Sequence, residues 1–213
     1  INPVPLCGVP HHAAQGYIAK LLKAGRTVAL CEQVEDPKLS KSLVRREVVR
    51  LYTPGTLVDT EFLSPGESYF LAAVAFSDVM APSLKRGPIA GLACLDVSTG
   101  EFWVTEFEGE GAGIQLMDEL ARLEPREVLH PDSDTNAISC LTRLSGARLC
   151  AKPSAFFNPK EAARLLQAQF AVHSLEGFGC RGLTVGIGSA GAVLRYFRET
   201  QPSASLGHLR RLQ

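Results

Sequence analysis

The chain has 213 residues, 46% hydrophobic and 21% charged, which excludes a disordered or fibrous protein and fits one large domain or two modest ones. Its 22 basic and 22 acidic residues cancel. The cancellation is uneven, however: residues 1–53 carry eight Lys/Arg against four Asp/Glu, and the rest carries fourteen against eighteen. Such asymmetry points to a front part that meets a polyanion, although a solvated face would give the same count.

No apolar run reaches the length of a membrane span, and nothing at the front reads as a signal peptide. The chain starts at Ile1 in mid-phrase and reads as a piece of a longer protein. Six cysteines (Cys7, Cys31, Cys94, Cys140, Cys150 and Cys180) form no C-x-x-C pair. Several sit in apolar runs, so buried free thiols are expected rather than disulfides or zinc.

In chain order, the three prolines of residues 2–10 forbid a helix there. Ala14, Tyr17, Ile18, Leu21 and Leu22 then recur at helical spacing, and Gly25 is placed to end the helix. Residues 27–31 read as a short buried strand, 32–42 as a polar loop and 47–52 as an alternating strand. This small α/β unit is too small to close a core by itself. Two Pro-Gly pairs mark 53–67 as a connecting segment.

Strands follow at 69–76, 89–97 and 101–106, the last two joined by the Ser98-Thr-Gly100 hairpin turn. The pattern then changes to a helix at 114–123, a strand at 127–130, a helix at 136–144 and a strand at 147–150. A helix at 160–170 has Asn158 as cap and Pro159 in first position, and a long helix of small residues spans 183–200. Three strands followed by alternating helix and strand imply a mixed sheet with helices outside.

Four features invite a function. Gly186-Ile-Gly-Ser-Ala-Gly191 matches the dinucleotide-binding G-x-G-x-x-G, but no second strand ending in an acidic residue follows it. Glycines that let a helix pack closely on a sheet fit as well. Asp96, at a strand end, is where a metal-dependent nuclease of the RNase H type would hold a metal. Glu119, Asp132 and Asp134 are possible companions without informative spacing, and a turn aspartate is the simpler reading. His11 and His12 lack a third metal ligand at suitable spacing. Lys38, Lys41, Arg45, Arg46 and Arg50 put five cations on a loop and the strand beside it. That set suits DNA-backbone contacts or a guarded sheet edge, and sequence alone leaves both open.

Pro5-Leu-Cys-Gly-Val-Pro-His-His-Ala13, Val28-Ala-Leu-Cys-Glu-Gln33, Val44-Arg-Arg-Glu-Val-Val-Arg50, Thr53-Pro-Gly-Thr56, Leu95-Asp-Val-Ser-Thr-Gly-Glu-Phe102 and Thr200-Gln201 occur in the order found in the MutS family of DNA mismatch repair proteins. The chain resembles that family over nearly its whole length. The resemblance implies the end of the mismatch-recognition domain (1–53), a linker (54–67), an RNase H-like connector domain without nuclease chemistry (68–202) and the start of a lever region (203–213).

It also implies a cytoplasmic parent protein that dimerises on mismatched double-stranded DNA, uses ATP and magnesium in an ATPase core beyond these residues, and receives MutL. In that picture this chain is not itself an enzyme and holds no cofactor or metal. The family's Phe-x-Glu wedge lies upstream of Ile1. Pro5 and Leu6 would lie near the minor groove, with leucine where relatives often carry methionine. Lys38, Lys41, Arg45, Arg46 and Arg50 would touch the backbone, and Arg164, Leu165 and Ala168 would face MutL.

Overall fold

The computed structural model describes residues 7–36, 43–56, 69–77, 87–202, 209 and 212. The small unit opens with a single 3-10 turn at His11–Ala13, continued by α1 (Ala14–Lys23). Gly25, at φ +71°, ends that helix, as its position after the last apolar residue predicts. β1 (Val28–Gln33) and β2 (Arg46–Tyr52) form an antiparallel ribbon with a bulge at Val49 of β2, opposite the Leu30–Cys31 step.

The expectation of a buried strand at 27–31 is not met. Residues 31–33 of β1 are exposed, and Val28 and Leu30 are only half-buried. Two strands and one short helix cannot cover both faces of a ribbon. Cys31 and Cys7 are therefore exposed, against the expectation of buried thiols, whereas Cys94 and Cys180 are buried. Burial, reinforced by the Asp96 charge, pushes the Cys94 thiol up, and burial does the same for Cys180.

The larger unit is a five-stranded mixed sheet in the order β5-β4-β3-β6-β7. β3 (Phe70–Ser77), β4 (Ile89–Asp96) and β5 (Phe102–Glu108) form the expected antiparallel meander. β6 (Glu127–Pro131) and β7 (Arg148–Lys152) add in parallel beside β3. α2 (Ala112–Leu123) and α3 (Thr135–Leu141) cover one face, and α4 (Pro159–Phe170) and α5 (Val185–Thr200) the other.

The period-2 alternation of β3 divides its side chains between the two cores. Ala72 and Val74 meet Leu116, Leu120 and Leu141, whereas Leu71, Ala73 and Ala75 face the layer of Leu166, Leu194 and Phe197. The Asn158 side chain accepts from the amides of Lys160 and Glu161, with Pro159 in first position, as its sequence signature predicts. No helix among the described residues is long and apolar enough to cross a membrane.

The two units touch. Tyr69, just before β3, joins Ile18 and Leu22 of α1 and Tyr52 of β2 in a small third apolar cluster. The first residues of the expected connecting segment, Thr53–Thr56, are buried. Residues 57–67, the rest of it, lie outside the described residues.

Candidate nucleic-acid interface

Strand register divides the arginine cluster. The bulge at Val49 switches the alternation of β2, so Arg50 and Tyr52 share the face of Val28 and Leu30, whereas Arg46 and Val48 share the opposite face with Cys31 and Gln33. Arg46 and Arg50 stand roughly 13 Å apart along the strand. Val48, on the face of Arg46, is a large apolar residue left 61% exposed. Arg50 is half-buried: its guanidinium lies 5.5 Å over the Tyr52 ring and donates to the Tyr52 hydroxyl at 3.3 Å. Tyrosine thus holds one cation in place while leaving it charged.

Arg45 precedes the strand and pairs with Glu47. Both side chains are more than half exposed, so the pair contributes at most ~1 kcal/mol but takes up the guanidinium. The Arg45 amide donates to Glu35 Oε2 at 3.2 Å, and its carbonyl accepts from the Val34 amide at 3.0 Å.

Pro5, Leu6, Lys38 and Lys41 lie outside the described residues. Lys20, Lys23 and Arg26, missed as candidates, are exposed at the C-terminal end of α1 and beyond it. Their signal was the basic last turn of the helix. His11 and His12 sit exposed in the 3-10 turn, and no group of three metal-ligating side chains occurs among the described residues.

Asp96 has the simpler role. Its Oδ1 accepts from the Ser98 amide at 2.8 Å, the Ser98 hydroxyl at 2.6 Å and the Thr99 amide at 3.4 Å, which shapes the β4–β5 turn. The Asp132 and Asp134 proposed as companions lie at the opposite end of the sheet. Asp96 pairs with Phe70 at the start of β3, whereas Asp134 binds the Phe76 amide at the end. Six residues of strand put about 20 Å between them, too far for a shared metal pair. Glu119 pairs with Arg122, whose hydrogen bond holds that carboxyl below its usual range.

The glycines of residues 186–191 serve packing. A Cβ on Gly188 would meet the Phe157 carbonyl oxygen at 2.3 Å, and one on Gly191 would meet the Ala162 Cβ at 2.3 Å. The amides that would cradle a pyrophosphate are occupied: Glu106 Oε1 accepts from Thr184 at 2.6 Å and from Gly186 at 2.8 Å. A dinucleotide, or the phosphates of ATP, would have to displace a carboxylate already on the helix start.

On α4, Arg164 and Ala168 are exposed one turn apart, while Leu165 leans into the core beside it. The chain's one Phe-x-Glu tripeptide, at residues 197–199, has its Phe197 ring fully buried and unable to stack on a base.

Family models described as MutS domain I and MutS domain II match residues 1–61 and 69–210. The DNA mismatch repair protein MutS of Syntrophobacter fumaroxidans is 45% identical over 210 residues, covering 98% of this chain and 22% of that protein. That of Myxococcus xanthus is 44% identical over 217 residues, covering 99% of this chain and 23% of that protein. The MutS protein of Symbiobacterium thermophilum is 41% identical over 208 residues. The chain spans less than a quarter of the length of these relatives.

Proposed function

The chain belongs to the MutS family, and we propose that it binds duplex DNA by its backbone through the β2 arginines Arg46 and Arg50, with the mixed-sheet unit acting as connector. Arg46 and Val48 support this reading: an exposed cation stands beside an exposed apolar side chain on the open face of the ribbon. Phosphate contacts of this kind fix position and carry no sequence information. Lys38, Lys41 and the Pro5-Leu6 pair complete the proposed DNA-facing set.

The role is a non-catalytic part of mismatch recognition. Asp96 spends its carboxylate on a turn, and Glu106 occupies the helix start where a phosphate would sit. ATP and magnesium act elsewhere in a cytoplasmic, dimeric parent protein, and no step here runs through them. The exposed Arg164 and Ala168 of α4 are the proposed contact with MutL. Reversing the charge in Arg164→Glu is expected to weaken MutL binding at least fivefold in calorimetry, and an unchanged affinity moves the contact off α4.

Anisotropy titration of matched and mismatched duplexes tests the DNA reading. Affinities are expected to agree within about twofold and to fall steeply with salt, with a slope near −0.9 per phosphate neutralised. A tenfold preference for the mismatch would overturn backbone-only binding. A salt-independent affinity would overturn the role of the arginines.

A further inference from the structure

Thr53-Pro-Gly-Thr56 has the composition of a turn between units, yet every residue from Tyr52 to Thr56 is buried. The reason lies 72 residues further on. Glu127, the first residue of β6, is 0% exposed, and its Oε2 accepts from the Gly55 amide at 3.2 Å. Its Oε1 accepts from the Tyr196 hydroxyl and from Arg148 Nη1, each at 2.9 Å. Burial, then the charge of Glu127, pushes the Tyr196 phenol up, so it stays a donor to the carboxylate.

Donors from the recognition-side segment, from β7 and from α5 thus converge on one buried carboxylate. A second clasp lies beside it, where Gln201 Nε2 donates to the Thr56 carbonyl at 3.0 Å and to the Leu51 carbonyl at 3.4 Å. Across the segment itself, the Thr53 and Thr56 hydroxyls bond at 2.7 Å.

Removing a carboxylate from water is costly, and a well-packed apolar residue would serve stability as well. What the charge adds is direction: Gly55 must present its amide, and its backbone must come close. A Cβ there would sit 2.7 Å from the Glu127 Cβ and 3.2 Å from Leu71 Cδ1.

We infer that Glu127 is a positioning residue: by gripping the Gly55 amide it makes Thr53–Thr56 a rigid joint and fixes the orientation of β2 against the connector. β2 ends at Tyr52, three residues before the grip, so Arg46 and Arg50 turn with the joint. Its consequence for DNA rests on the proposed function, but the joint itself does not.

The test is hydrogen–deuterium exchange on the full 213-residue chain with Gly55→Ala and Glu127→Gln, each alone. Both are expected to raise amide exchange at residues 53–56 at least tenfold and to leave β3, β4 and β6 unchanged. Glu127→Gln, which keeps one acceptor oxygen for Gly55, is expected to have the smaller effect. Duplex affinity, read in parallel, should fall severalfold with the same salt slope, because orientation is lost but no phosphate contact. Unchanged exchange at 53–56 in either variant overturns the inference, as does a rise spread evenly through the sheet. Absence of duplex binding by the unaltered chain would overturn the DNA reading instead, and exchange would still decide the joint.

Discussion

Gly188→Ala is expected to destabilise the mixed-sheet unit by about 3 kcal/mol, the upper end of what overpacking a filled interior costs. In an exposed helix interior the same change would stabilise by ~1 kcal/mol, because alanine is the better helix former. Here the added methyl meets the Phe157 carbonyl oxygen at 2.3 Å. That oxygen is backbone, held between a 3-10 turn at Ser154–Phe157 and the Asn158 cap of α4, and it has little room to move. The helix therefore shifts off the sheet, pulling Phe197 and Leu194 with it. Gly16→Ala is the control: it lies in α1 with nothing within 4 Å of the new methyl, so its effect should be neutral or mildly stabilising. Urea unfolding reads both. A lower midpoint at constant m-value for Gly188→Ala supports glycines that serve packing. Unchanged stability would reopen the phosphate-binding reading of residues 186–191.

Where structure follows from local chemistry, it was legible in the sequence. The β4–β5 hairpin announces itself by Ser98-Thr-Gly100, and Gly100 adopts φ +78°. The α4 start is spelled by Asn158-Pro159, and the mixed sheet follows from three strands succeeded by helix–strand alternation. The resemblance carried the family, and the matched residues agree with it.

What was not legible depends on partners far away in the chain. No local pattern says that Glu106 caps α5 from 78 residues earlier, or that Glu127 reaches Gly55. β1 carries the composition of an interior strand, but the ribbon has too few neighbours to bury it. α3 stops at Leu141 rather than 144, where the Thr142 hydroxyl bonds back to the Ser139 carbonyl. The arginine cluster was visible as a count. Its division into an exposed Arg46, a half-buried Arg50 on the opposite face and an ion-paired Arg45 needed the register.

That division makes the second large effect specific to position. Replacing Arg46 and Arg50 together with glutamine removes two phosphate contacts under the proposed function. The slope of log affinity against log salt should then become shallower by about 1.8. Extrapolated from molar salt, this is a loss of roughly 200-fold at 50 mM, narrowing to roughly 20-fold at 200 mM. Arg45→Gln is expected to cost far less, because its guanidinium is already engaged by Glu47 and its removal leaves that acid free on the surface. Arg122→Gln, on the mixed-sheet unit and paired with Glu119, should leave both affinity and slope unchanged. Anisotropy at four salt concentrations separates these outcomes. An unaltered slope in the double variant removes β2 from the interface, and an equal loss for Arg122→Gln would mean that overall charge, and not this strand, draws in the DNA.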